Sequence, residues 1–215
     1  MSGNIASKLV AKHKRYYRDF IWRHQITPYK IMIAEFMLNR TRAEQVEPVY
    51  KKFIKIYPGI KALSKARAAK LRFVTKNLGL HWRIKHYKKA AEYIIDEYHG
   101  QIPANRKDLR KIPGIGDYAA GAILTASFNK KEYVVDSNIA RFIDRYYGLK
   151  LSGEIRRNKK IINYAGQIFT FKNTKLLLFA ILDFTALVCK PIKPLCPDCI
   201  FNKECKYGKL ILKLS

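Results

Sequence analysis

All four cysteines of this chain lie within one run near the C-terminus, VCKPIKPLCPDCIFNKEC, at positions 188–205. Their spacing is C-x6-C-x2-C-x5-C, formed by Cys189, Cys196, Cys199 and Cys205. Disulfides between thiols this close would gain little loop entropy, and no feature of the sequence signals export to an oxidising compartment. Ligation of a metal by four thiolates is therefore favoured, and the spacing alone leaves structural zinc and a [4Fe–4S] cluster both open.

The composition indicates a folded protein that binds a polyanion. Of the 215 residues 48% are hydrophobic and 13% aromatic, enough to fill a core. The chain shows neither a secretory h-region nor an apolar run of membrane-spanning length, so we expect an intracellular protein. Lys and Arg number 43 against 16 Asp and Glu, a formal charge of +27 spread over the chain. Nucleic acid is the first candidate partner, with acidic membrane surfaces and ribosomal RNA as alternatives.

Apolar residues recur with helical periodicity along most of the chain. Thr27 is predicted to cap a helix that begins at Pro28, and further helices are predicted up to Gly79 and Gly100, which stand at C-terminal cap positions. The segment 62–79 is predicted as one helix, and the next helix is predicted to begin at Trp82. Strand signals are nearly absent, since only YVV at 133–135 suggests one. The fold class predicted from these patterns is all-α.

The segment NRKDLRKIPGIGDYAAGAILTASF, 105–128, joins a short helix to a helix rich in small residues through Pro-Gly-x-Gly. Gly114 and Gly116 leave the backbone open to close approach. Such a turn can direct helix N-terminal amides at a phosphate, but a tight interhelical connection explains the same glycines. Together with the charge of the chain, the segment indicates main-chain contact with a nucleic-acid strand.

A single acidic residue, Asp136, follows an apolar pair in the run VVDSNIAR and precedes a predicted helix. The ordinary explanation is that Asp136 or Asn138 caps this helix. The context adds a second one, because the hairpin segment, about twenty residues, and then V-D-x-N-x-x-R closely resemble the helix-hairpin-helix/Gly-Pro-Asp superfamily of DNA glycosylases. In that family the Asp faces the sugar of the extruded nucleotide.

The resemblance extends from about Asp19 to Cys205 and includes the cysteine spacing, which is similar to the [4Fe–4S] loop of the endonuclease III and adenine glycosylase branches. It implies a two-lobed helical fold, with 1–27 and 130–215 in one lobe and 28–129, which includes the hairpin, in the other. It further implies a structural [4Fe–4S] cluster held by the four cysteines in the loop 189–205, a monovalent cation at the hairpin turn, and a monomer that binds double-stranded DNA with a flipped-out mispaired base.

The N-terminal runs DFIWR, TPYK and AEFMLNRT resemble the adenine glycosylase branch and its archaeal thymine-mismatch relatives. Bifunctional endonuclease III carries a catalytic Lys where this chain has Tyr118, so the resemblance implies a monofunctional enzyme with Tyr118 near the sugar; a core tyrosine is the structural alternative. The residues that read adenine are replaced by Ala43 and Phe179, as in the thymine-mismatch branch. We therefore expect removal of thymine and uracil opposite guanine, with an adenine glycosylase or a non-enzymatic iron–sulfur DNA-binding protein as alternatives.

The resemblance also implies a role in the reaction for individual residues. Asp136 would stabilise the oxocarbenium-like sugar or help a water to add. Glu35, on an apolar helix face, would be a general acid, a water-holder or an orienting group, or only the partner of a core side chain. Asn39 and Arg40 would fill the gap left by the flipped base and contact the widowed guanine, although a phosphate contact explains Arg40 equally well.

Overall fold

The protein was described from a computed structural model, which defines residues 2–79 and 84–214. Within these ranges the regular secondary structure consists of α-helices and 3-10 helices, and no strand occurs. The all-α prediction is therefore confirmed. The α-helices are α1 Ser2–Lys12, α2 Pro28–Leu38, α3 Ala43–Ile56, α4 Ile60–Ser64, α5 Ala68–Thr75, α6 Ile84–Tyr98, α7 Arg106–Leu109, α8 Asp117–Phe128, α9 Ser137–Tyr147, α10 Lys159–Ile168, α11 Thr174–Leu187 and α12 Lys206–Leu214.

The chain divides into two compact units. Unit 1 contains residues 1–18 and 129–215, and unit 2 contains residues 19–128. The first boundary therefore falls at 18/19, before the predicted 27/28, because Trp22 packs edge-on against Tyr50 and the Ile21 amide donates to Glu47 Oε1 at 2.9 Å. These contacts attach the segment before α2 to unit 2. The second boundary falls at 128/129, one residue before the predicted 129/130.

Unit 1 is built around α9 and α11. These two helices pack on each other, α12 packs on α9, and α1 packs on both α10 and α11. Three phenylalanines form the centre, since the Phe142, Phe184 and Phe201 rings meet one another with centroids 5.3–5.4 Å apart. A buried polar contact supports the same core, because His13 Nε2 lies 3.0 Å from Asp183 Oδ2 and neither side chain reaches solvent appreciably. This contact satisfies polar groups that would be costly to bury alone.

Unit 2 packs α2 against α3 and α8, and α6 against α4 and α5. Local signals explain several helix limits: Thr27 Oγ1 accepts from the Lys30 amide at 3.2 Å at the start of α2, and Gly79 and Gly100 have φ of +66° and +82° at the ends predicted for them. The segment predicted as one helix over 62–79 is instead divided into α4, α5 and a 3-10 turn. The predicted helix start at Trp82 lies outside the described residues.

Candidate functional site

The hairpin in unit 2 is formed by α7 and α8, with the glycine-containing turn between them. Asn105 caps α7 by accepting from the Asp108 amide at 2.9 Å. Arg106 then connects the two helices, because its Nη1 donates to the Asp117 carbonyl at 2.9 Å and to Asp117 Oδ1 at 3.1 Å. The first turn of α8 is thus held firmly, and first-turn amides of an α-helix have no intrahelical acceptor.

The fold requires glycine at position 114 of the turn but not at position 116. Gly114 has φ of +88°, and a Cβ placed there would lie 2.9 Å from the Cβ of His86, so the fold itself demands glycine. Gly116 has no positive φ, and a Cβ there would meet nothing within 4 Å. Both glycines are exposed. Because the fold does not need glycine at 116, its small size favours close approach of another molecule to the α8 amides.

Tyr118, the second residue of α8, is partly exposed. Glu35 lies on α2 between buried neighbours and keeps part of its own surface accessible. Ala43 is the first residue of α3 and is partly exposed. These three candidates all belong to unit 2.

Asn39 and Arg40 form the corners of a tight turn between α2 and α3. The Thr41 amide donates to the Leu38 carbonyl at 3.2 Å. Asn39 has φ of −60° and ψ of 107°, and Arg40 has φ of +60°, which together match a type II turn. Glycine normally occupies the second corner of this turn, yet here an exposed arginine does. Arg40 thus adopts a backbone conformation that disfavours residues with a Cβ, and its side chain is exposed.

Asp136, in unit 1, caps α9, as its structural explanation predicted. Its Oδ1 accepts from the Ile139 amide at 2.7 Å, and its Oδ2 accepts from Asn138 Nδ2 at 3.1 Å. Burial raises the pKa of the carboxyl above its ordinary value, although these hydrogen bonds and the charge of Arg141 oppose the rise. Part of the residue still reaches solvent. The geometry therefore holds one carboxylate in a fixed orientation in a poorly solvated place.

A hydrogen-bonded chain connects this carboxylate with the cysteine loop. Arg141 Nη1 donates to Asn138 Oδ1 at 2.9 Å, while the same guanidinium donates to the Cys189 carbonyl at 2.8 and 3.1 Å. A further bond of 3.0 Å reaches the Thr185 carbonyl on α11. The sequence indicates Asn138 as a possible cap and as part of a motif, and Arg141 only as part of that motif. Their positions two and five residues after Asp136 are the signal for this connection.

The four cysteines line one pocket of about 360 Å³, part of it open to solvent, together with Phe142 and Arg145. Backbone amides are directed at the sulfurs, since the Phe201 amide lies 3.4 Å from Cys199 Sγ and the Gly208 amide 3.4 Å from Cys205 Sγ. Arg145 Nη1 lies 3.8 Å from Cys189 Sγ.

Burial raises the pKa of the Cys199 thiol to about 12 and also raises those of Cys196 and Cys205. Neutral thiols are thus favoured in the pocket unless a cation balances the thiolates. In residues 2–79 and 84–214, however, no three His, Cys, Asp or Glu side chains are gathered closely enough to surround a single metal ion. The four cysteines nevertheless line the same pocket.

Phe179 lies on α11 with 9% of its surface exposed, so it belongs mainly to the core of unit 1. The sequence-predicted residues are therefore divided between the units. Unit 1 contains Asp136, Phe179 and the four cysteines, and unit 2 contains Glu35, Asn39, Arg40, Ala43, Gly114, Gly116 and Tyr118. In the described part of the chain, no helix has the length and apolar character of a membrane span.

The sequence and the fold are similar to those of known proteins over most of the chain. The family model for the HhH-GPD superfamily base excision DNA repair protein matches residues 33–164, which contain the hairpin and Asp136. A thymine/uracil-DNA glycosylase of Methanothermobacter thermautotrophicus is 34% identical over 88% of this chain and 86% of its own length. An adenine DNA glycosylase of Buchnera aphidicola is also 34% identical, over 95% of this chain, which spans only 59% of that protein.

The solved structure of a thermostable thymine-DNA glycosylase superposes with a TM-score of 0.89 at 31% identity and covers 97% of both chains. The family model matches more than half of the chain, and relatives of at least 30% identity match nearly all of it. The chain therefore belongs to the HhH-GPD superfamily of base excision DNA repair proteins.

Proposed function

We propose that this protein is a monofunctional DNA glycosylase that hydrolyses the N-glycosidic bond of thymine, and of uracil, mispaired with guanine. The observation that carries this choice is the similarity along most of the chain to an enzyme named for thymine and uracil. Two residues support it, because the apolar Ala43 and Phe179 stand at the sequence positions that resemble the adenine-reading positions of the adenine branch. The product is an abasic site in double-stranded DNA.

The reaction begins with extrusion of the mispaired nucleotide, which costs less than opening a matched pair. The type II turn would present Asn39 and Arg40 to the space that the base leaves, and the Arg40 guanidinium offers the bidentate donors that guanine accepts. The α8 amides beyond Gly116 would bind the phosphate backbone without reading its sequence. A monovalent cation held by turn carbonyls would strengthen this contact.

Bond cleavage develops positive charge on the sugar. Asp136 would stabilise that charge as the carboxylate, and the resulting ion is then captured by water. Two hydrogen bonds fix the orientation of this carboxylate in advance. Thymine leaves as a ring anion, so Glu35 would orient the water or a base carbonyl, and Tyr118 would pack beside the sugar. Because Tyr118 replaces the lysine of the bifunctional branch, no amine attacks the sugar and the strand remains intact.

The cysteine pocket would hold a [4Fe–4S] cluster. The spacing C-x6-C-x2-C-x5-C resembles the cluster loop of endonuclease III and the adenine glycosylases, whereas structural zinc usually draws on two close C-x2-C pairs. A [4Fe–4S] cluster instead accepts one thiolate on each of four irons, and a pocket with amides directed at the sulfurs suits it. Cys189, Cys196, Cys199 and Cys205 would hold the cluster, whose role here is structural.

The test is base release from a set of duplexes that differ only in one pair: T:G, U:G, A:G and A:8-oxoguanine. The protein is incubated with each duplex, and alkali then cleaves the strand at any abasic site. Cleavage at T:G and U:G is expected, and strand cleavage without alkali is not. Cleavage at adenine alone would establish the second candidate, an adenine glycosylase, which the Buchnera relative favours. No cleavage at any pair by iron-loaded protein would reject both.

A further inference from the structure

Phe73 is an aromatic side chain that the fold leaves in solvent. It lies on α5 and is 59% exposed. Two ammonium groups flank its ring, with Lys52 Nζ 5.2 Å and Lys76 Nζ 5.1 Å from the ring centroid. Among the described residues of unit 2, no other large hydrophobic side chain is similarly exposed. The feature is therefore one aromatic ring between two cations, not an apolar interface.

The charge around this ring has one sign. Residues 48–91 contain no Asp or Glu. All nine Lys and Arg residues between 51 and 76 are exposed: Lys51, Lys52, Lys55, Lys61, Lys65, Arg67, Lys70, Arg72 and Lys76. A segment this basic attracts polyanions. The exposed aromatic ring indicates which kind of polyanion binds here. A surface that attracts polyanions by charge alone would gain nothing from an exposed phenylalanine.

Stacking of a nucleic-acid base on Phe73 explains why an exposed ring lies beside two lysines. Sites for single-stranded nucleic acid place bases on exposed aromatic rings and phosphates on nearby cations. A lone exposed cation–π contact gains little, and one lysine would suffice for it. Two long lysine side chains beside one ring can instead move onto the phosphates on either side of a stacked base.

We propose that Phe73, Lys52 and Lys76 form a second nucleic-acid site, which binds an unpaired nucleotide by stacking its base on Phe73. The three residues of this site differ from every candidate catalytic and base-contact residue: Phe73 lies on α5, Lys76 directly follows α5, and Lys52 lies on α3 nine residues after Ala43. Its ligand is a single strand of either DNA or RNA, recognised without sequence preference.

The experiment measures binding of fluorescently labelled oligo(dC), which contains none of the bases proposed for excision, to iron-loaded full-length protein. Phe73→Ala should weaken binding roughly 5- to 100-fold, because one stacking contact is lost, and Phe73→Tyr should retain affinity. Lys52→Gln with Lys76→Gln should reduce the slope of log K against log salt by roughly 0.7 for each lysine. The matched control, Lys61→Gln with Lys65→Gln, removes the same charge from unit 2 but leaves the two lysines beside Phe73 in place.

Base release from the T:G duplex by Phe73→Ala is measured in parallel and should equal that of the wild type, which separates this site from the proposed activity. Unchanged oligo(dC) affinity in Phe73→Ala overturns the proposal. Polyglutamate is titrated as an acidic polymer without bases. If Phe73→Ala weakens polyglutamate binding as much as oligo(dC) binding, the surface binds acidic polypeptides and the nucleic-acid proposal is wrong.

Discussion

Replacing Arg141 by glutamine should uncouple the proposed catalytic carboxylate from the cysteine loop. The guanidinium donates to three acceptors, the side chain of Asn138 and the carbonyls of Thr185 and Cys189. A hydrogen bond to a charged group contributes about 1.5–3 kcal/mol, and the shorter glutamine amide can satisfy one acceptor at most. Allowing for partial exposure of Arg141, we expect a loss of about 3 kcal/mol in the free energy of unfolding.

Arg141→Gln should also slow base release. Without Arg141, the Asn138 amide is free to rotate, and Asp136 Oδ2 loses a fixed donor. We expect single-turnover release of thymine to fall at least tenfold, which corresponds to about 1.4 kcal/mol in the barrier. The matched control is Arg145→Gln. Arg145 donates to the Lys190 and Pro191 carbonyls of the same loop and has no hydrogen bond to Asn138 among the described contacts.

Base release by the two variants is compared at equal iron content and at a temperature below both unfolding transitions. Thermal denaturation of each variant is followed separately by circular dichroism. Arg141→Gln should lose base release well beyond Arg145→Gln while both bind DNA. Equal rates in the two variants would show that the loop is only a structural anchor and would refute the proposed coupling.

The remaining predictions concern Asp136, the two glycines of the hairpin turn, and Arg40. Asp136→Asn should abolish base release but change the midpoint of thermal unfolding little, because asparagine caps helices as well as aspartate; a fully active variant would contradict the assignment. In the wild type, burial raises the pKa of Asp136, so base release should fall on acidification at a higher pH than an ordinary aspartate would give, as single-turnover pH profiles would reveal. Gly114→Ala should cost about 2 kcal/mol in denaturant unfolding, because a Cβ meets His86, whereas Gly116→Ala should keep stability and weaken duplex binding in anisotropy titrations. Arg40→Gly should maintain or raise stability by relieving the positive φ while reducing discrimination between T:G and T:A duplexes; unchanged discrimination would leave Arg40 a phosphate contact.

Helix limits were predictable where a side chain or a backbone conformation marks them. Thr27 and Pro28 gave the start of α2, and Gly79 and Gly100 gave two helix ends. The break between α4 and α5 has no such marker. There Ala66 is 4% exposed and its amide bonds to the Leu63 carbonyl, so tertiary packing ends α4 where local propensity would continue the helix.

Candidate residues could be selected from the sequence, but the hydrogen bonds that connect some of them could not be predicted. The spacing of Asp136, Asn138 and Arg141 was visible in the sequence, yet their connection to Cys189 spans 48 residues between Arg141 and the loop. That connection depends on the packing of α9 against α11, which no local pattern specifies. Arg40 is similar, because only the backbone reveals that this arginine occupies a position where glycine is usual.

Helix capping and the proposed chemistry of Asp136 are compatible because both need a carboxylate that is held in one orientation. Capping uses Oδ1, and Asn138 holds Oδ2. A carboxylate fixed at both oxygens cannot reorient when positive charge appears on the sugar, so no reorganisation is needed at that moment. Its raised pKa reflects poor solvation of the charge, and poor solvation also strengthens its attraction for a cationic sugar. The residue that the sequence explained most simply as a cap is therefore pre-organised for the role proposed for it.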